Sequence, residues 1–210
     1  MINRIKEKIN KMAQGTEEKK IIVLDSASIP VPEPDLRVVG LFADVVEEKI
    51  AEIVHGLLYM NEQNKMEEDP EKRKDIEFYI STYGGSADDM FALYDVMKQV
   101  QKTTDISTIG MGKVMSAGVL LLAGGTPGKR KIGRNCRIML HSVIAGNHGA
   151  LHNLMNEMEA IQDLQDVYIA RLVEETKMTK SQLKKMLERK VNVYLSAEQA
   201  VEYGVVDEII

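Results

Sequence analysis

An α/β fold of repeated β-α-β units around a mostly parallel sheet is what the 210-residue sequence predicts, and two observations carry it. Short apolar runs of strand length alternate with longer segments whose apolar residues recur every three or four positions. Two of the runs lead into turns of small residues, Gly84-Gly85 and Ser116-Ala117-Gly118, just before or at the start of a helical segment. Strand, helix, strand, helix in this rhythm implies right-handed crossovers and a sheet covered on its faces.

In order, residues 1–20 are charged, with Ile2, Ile5, Ile9 and Met12 at helical spacing. They read either as a short amphipathic arm for a neighbour or as a frayed tail. After a strand-like IIVL (21–24), SASIPVPEPD carries three of the five prolines and fixes an extended connector. We therefore divide the chain into an arm and Pro-rich connector at 1–36 and a main domain at 37–210.

Within that domain RVVGLF is a buried strand, and DVVEEKIAEIVHGLLYM is a helix with Val46, Ile50, Ile53, Val54, Leu57 and Leu58 on one face. Residues 61–75 show no apolar periodicity and read as a solvated loop. Strand 76–80, the turn STYGG, helix SADDMFALYDVMKQV, strand 106–110, an apolar helix within 112–125 and strand 137–140 follow. From Leu151 to Val173 apolar residues step by three and four, predicting a helix of about six turns that protrudes from the domain. Part of its stripe faces another subunit on one reading; on the other it lies wholly on its own core. Thr179 to Gln182 and Ser196 to Gln199 have capping-box spacing, and Gly204 closes the last helix before VVDEII.

Composition narrows the function. Hydrophobic residues at 44% and charged residues at 28% describe a soluble globular chain. A formal charge of −5, with Lys and Arg interspersed among acids, offers no basic surface for a phosphate backbone, which excludes nucleic acid as a partner. Cys136 is the only cysteine, so neither an internal disulfide nor a cysteine zinc cage can form, consistent with a reducing compartment. No apolar run reaches the roughly 20 residues that span a bilayer, and the first residues lack a signal-peptide core; the expectation is a cytoplasmic protein without a membrane partner. Neither G-x-G-x-x-G, a Walker loop, HExxH nor an Asp-rich loop occurs, so no metal or cofactor is expected.

Ser116 opens an apolar run, GKVMSAGVLLLAGG (112–125), and a serine there most often caps a helix. Its context favours chemistry: a strand precedes it, Gly112 and Gly118 flank it, and strand-to-helix turns at the carboxyl edge of a sheet hold α/β sites. The G-x-S-x-G elbow is half present, because Val114 takes the first glycine position. A nucleophilic serine needs a base. His141 ends the strand RIML at the same sheet edge, whereas His55 reads as a partly buried structural residue and His148 and His152 as surface positions. The Tyr83-Gly84-Gly85 turn is either a tight turn or a backbone donor beside a substrate.

Together FYISTYGGSADDMFALYDVM, TIGMGKVMSAGVLLLAGGTPGKRKIGRNCRIMLH and YLSAEQAVEYGVVDEII, with RVVGLFADVVEEKIAEIVHGLLYM before them, resemble the Clp-type serine peptidase family in order and spacing. The resemblance covers about Arg37 to Ile210. It implies a ClpP/crotonase-like fold, heptameric rings stacked into a double-ring chamber, and hydrolysis of polypeptides by a Ser-His-Asp triad without a cofactor. Carried over by motif, Ser116 is the nucleophile, His141 the base, the N–H groups of Gly85 and Ala117 the oxyanion donors, and the backbone near Ile144 the partner of an extended peptide.

Some positions depart from the pattern. Asn192 stands where the family has its acid, and an amide can orient an imidazole but brings no charge to stabilise an imidazolium. Glu188 would substitute only if the backbone shifted. STYGG replaces Ser-Pro-Gly-Gly, HSV replaces His-Gln-Pro, the 61–75 segment is longer, and residues 1–36 do not resemble the family's axial-pore segment, so docking to an AAA+ unfoldase does not carry over. A divergent or phage-type member fits, and alternatives stay open: a catalytically weak structural or regulatory ring subunit, a phage head-maturation-type protease, or another enzyme on the fold, such as an acyl-CoA hydratase or a Ser-Lys hydrolase using Lys113.

Overall fold

Strands β1 (Val38–Leu41), β2 (Ile76–Thr82) and β3 (Ile106–Met115) run parallel and adjacent in a computed structural model describing residues 35–146, 148–187 and 191–210. The expected arm at 1–20, the IIVL strand and the three prolines of the connector lie outside the described residues, as does Glu188. Residues Leu36–Ile210 form one compact unit.

Two crossover helices join these strands: α1 (Glu47–Met66) and α2 (Ala87–Val100), which pack on each other. The short α3 (Ala117–Ala123) follows β3, and all seven of its residues are buried. Strands β4 (Lys131–Ile132) and β5 (Arg137–Leu140) then both pair with β3, at different places. The first half of β3 bonds β4 through Ile109 and Gly110; the second half bonds β5 through Lys113, Val114 and Met115. Gly112, at φ 64, sits between the two halves, where a left-handed residue lets one strand change partners.

The long helix α4 (Leu151–Glu175) comes next, then α5 (Lys180–Leu187), β6 (Val193–Leu195), α6 (Ala197–Glu202) and β7 (Glu208–Ile209). The sheet order is β1-β2-β3-β4-β7, with β5 branching from β3 and β6 antiparallel to β5. Both capping boxes form: Ser196 and Gln199 exchange bonds at the start of α6, and Thr179 and Gln182 do so before α5. Gly204 adopts φ 71 after the α6 C-cap, as a chain reversal there requires.

Several expectations need correction. The α1 helix runs on to Met66 instead of ending before a loop at 61, because Asn61 and Asn64 turn inward: Asn64 donates to the Lys74 carbonyl and to Thr104, whose hydroxyl donates to Asn61. Buried amides with partners keep a helix face that hydropathy scores as polar. Strand β3 continues to Met115, so Lys113 is on a strand, with its ammonium 4.4 Å from the Tyr83 ring centre, not on a helix start. His55 is exposed. Strand β2 is buried at Ile76, Phe78, Ile80 and Thr82 and more open at Glu77, Tyr79 and Ser81, so this stretch of the sheet is covered on one face only.

Along α4 only Tyr168, Ile169 and Leu172 are buried, while Leu151, Met155 and Met158 are exposed. The reading in which its stripe lies wholly on its own core therefore fails for the N-terminal half.

Candidate active site

Ser116 is held in a conformation that few serines adopt. At φ 54 and ψ −122 it is the one non-glycine residue with positive φ among the described residues. Such a backbone costs on the order of 1–3 kcal/mol and persists only where surroundings enforce it. They do so on several sides: its N–H donates to the Met139 carbonyl on β5 (2.8 Å), and its own carbonyl accepts from the Val119 N–H (2.9 Å) and from the Tyr168 hydroxyl (3.1 Å). Ser116 occupies the N-cap position of α3, yet its side chain makes no capping bond. The hydroxyl is thus not consumed by the helix, which rejects the cap reading.

The glycines around it are fixed by space. A Cβ on Gly118 would lie 2.4 Å from Thr82 Cγ2, and one on Gly85 would lie 2.2 Å from the Val45 carbonyl oxygen. Val45 donates to the Gly84 carbonyl and accepts from the Ser86 N–H, pinning the residues on either side of Gly85. In that extended pairing the Gly85 N–H points away from Val45. Thr82 Oγ1 accepts the Gly84 N–H at 3.0 Å, shaping the turn from inside.

One cleft, of about 430 Å³, collects these groups. Ser116, Ala117, Gly85, His141 and Ile144 all line it, beside Tyr83, Met90, Leu164 and Tyr168. The Ala117 N–H is at the first position of α3, among the donors a helix leaves unpaired. Among the described residues no carboxylate lines the cleft. His141 Nδ1 lies 2.5 Å from the Ser142 carbonyl, and the Ser142 hydroxyl donates to the Leu187 carbonyl, holding the segment after the base. The Val143 N–H donates to Gln165 of α4.

Asn192 is not part of the cleft lining and is exposed. The last pair of the β5–β6 register is Leu140 with Val193, so His141 and Asn192 each lie one residue beyond the paired strands. His148 and His152 are exposed, away from the lining. Sequence reasoning missed Tyr168, Thr82 and Gln165. Tyr168 carried a signal, since a tyrosine in an apolar helical stripe has a hydroxyl that must find a partner; its burial pushes the phenol up, keeping it a neutral donor. Cys136 is buried, its thiol pushed up to about 11 by burial, and lies outside the cleft. Among the described residues no cluster of His, Cys, Asp or Glu could hold a metal, and no helix is long and apolar enough to cross a membrane.

A strained serine on a strand-to-helix turn, an imidazole in the same cleft and two main-chain N–H groups beside it make the layout of a serine hydrolase. More specifically, the chain belongs to the Clp protease family, whose profile matches residues 35–210. It is 35% identical over 177 residues to the ATP-dependent Clp protease proteolytic subunit 3 of Frankia casuarinae, covering 83% of this chain and 76% of that one. Subunit 2 from the same organism is 34% identical over 174 residues, with 83% and 75% covered. The chain is a serine-type peptidase, and its α/β architecture is that of the ClpP/crotonase-like fold.

Proposed function

We propose that this chain is the proteolytic subunit of a self-compartmentalised ring protease that cleaves unfolded polypeptides through an acyl-enzyme on Ser116. Ser116 Oγ attacks the scissile carbonyl carbon while His141 takes its proton. The tetrahedral oxyanion accepts from the Gly85 and Ala117 N–H groups, and the imidazolium protonates the leaving amine as the C–N bond breaks. Water, deprotonated by His141, then attacks the acyl carbon and frees Ser116. An extended substrate pairs with the backbone at Ile144, and Asn192, one residue before β6, orients the His141 ring. The chemistry needs no cofactor.

The observation that carries this reading is the strained, uncapped Ser116 opening into the same cleft as His141, Gly85 and Ala117. The uncovered α4 stripe of Leu151, Met155 and Met158 supports association of subunits, for which the family resemblance suggests stacked heptameric rings. The relatives are named ATP-dependent, which supports an AAA+ unfoldase as partner and action in the cytoplasm, or the host cytoplasm if the chain is phage-encoded.

A catalytically weak ring subunit is the second reading, favoured by the neutral Asn192 and by the absence of a carboxylate from the cleft lining among the described residues. Intact-mass measurement after fluorophosphonate treatment separates the two. The wild type gains one adduct and Ser116→Ala gains none; a wild type that stays unlabelled overturns the acyl-enzyme reading.

A further inference from the structure

The peptide unit between Ser116 and Ala117 carries two groups of consequence. Its N–H is the Ala117 donor of the proposed oxyanion site, and its carbonyl is the one bonded by Tyr168. In a planar trans peptide these point in opposite directions, so a bond that fixes the carbonyl also fixes the aim of the N–H. It polarises the amide as well, drawing electron density toward oxygen and strengthening the N–H as a donor.

Tyr168 is suited to that task. It sits on α4, 52 positions from Ser116 in sequence, is 6% exposed, and its hydroxyl makes no other hydrogen bond among the described residues. The carbonyl it holds belongs to the residue whose ψ of −122 sets the tilt of this peptide plane. The Val119 N–H reaches the same oxygen from within α3, as a helix start does anyway; Tyr168 adds a second donor from a different element.

We infer that Tyr168 is a positioning residue that aims and polarises the Ala117 N–H toward the transition-state oxyanion, acting through the Ser116 carbonyl. This rests on the reading of Ser116 and Ala117 given above. The bond is present in the resting enzyme, but its consequence is expressed only when negative charge develops on the substrate oxygen. It therefore governs turnover and the affinity of tetrahedral analogues, and leaves ground-state binding alone.

Tyr168→Phe keeps the ring in the cleft wall and removes only the hydroxyl. The expected result is a fall in kcat of about three- to tenfold, the range of one net hydrogen bond, with KM unchanged. Affinity for a peptide boronate, which forms a tetrahedral adduct on the serine, falls by the same factor. An unchanged kcat overturns the inference, and so does a loss shared equally by KM and kcat with no selective loss of boronate binding, since that marks mere structural support. If Tyr168→Phe does not fold, 3-fluorotyrosine at position 168 retains the bond with a more acidic phenol. Boronate affinity equal to or above wild type upholds the inference; weaker affinity overturns it. A wild type that neither turns over peptide nor binds boronate sinks the acyl-enzyme reading itself, an outcome distinct from an active wild type matched by Tyr168→Phe.

Discussion

A Cβ placed on Gly84 would lie 2.6 Å from the Ser116 Cβ and 3.1 Å from its Oγ, so the glycine turn after β2 and the serine turn after β3 are in direct contact. The same Cβ would stand 2.9 Å from the Met115 carbonyl oxygen, and Gly84 has φ 100. Neither neighbour can yield cheaply: one is backbone and the other is the candidate nucleophile. Gly84→Ala is therefore expected to destabilise the fold by about 1–3 kcal/mol through backbone strain. It also lowers kcat/KM by about 10²-fold, the effect of moving a reacting group by an ångström. Thermal unfolding and peptide turnover measure the two effects separately, and a variant with wild-type turnover would show that the contact does not constrain Ser116.

The places of His141 and Asn192, each one residue beyond the last β5–β6 pair, give a gain-of-function test. A carboxylate there would stabilise the imidazolium that forms as Ser116 loses its proton. Asn192→Asp is expected to raise the rate of fluorophosphonate labelling, by as much as about 10⁴-fold if the acid acts at full strength. Slower or unchanged labelling would mean that the His141 ring takes its orientation elsewhere, with the Ser142 carbonyl the group already against Nδ1.

How much of this was readable from the chain alone depends on whether local pattern or distant partners decide each feature. Strand 137–140 and the capping pairs Thr179–Gln182 and Ser196–Gln199 are settled within a few residues of sequence and stand where periodicity and capping chemistry put them. The end of α1 is decided by Thr104, 40 positions from Asn64, and no local pattern reports that partner. That Ser116 and His141 come to one cleft was legible because strand ends and small-residue turns have local signatures. What holds Ser116 was not: Tyr168 and the Met139 carbonyl reach it from elements whose docking follows from the fold as a whole. The two-residue β4 likewise exists only because β3 and β7 flank it.

An ion pair of Arg130 and Asp207 stands at the start of the last strand. Asp207 accepts from Arg130 Nη2 at 2.6 Å and Nε at 2.9 Å, and from the main-chain N–H groups of Arg130 and Gly128. Arg130, only 8% exposed, directs Nη1 to the Ala123 and Glu175 carbonyls, so it ties the ends of α3 and α4 to the segment before β7. The Arg130 bond is the main cause that holds the Asp207 carboxyl below its usual range, against the opposing effect of burial. A depressed carboxyl contributes stability that is present above its unfolded value near 3.9 and is lost as pH falls through the folded value. At pH 7 Asp207→Asn should therefore cost about 2 kcal/mol, because the buried guanidinium loses its charged partner. Once the pH lies below the folded value the wild type has lost the same contribution, and the gap between the two narrows. Denaturant midpoints at pH 7 and on the acid side of pH 4 check this, and a gap that stays constant across that window would place the stabilising charge elsewhere.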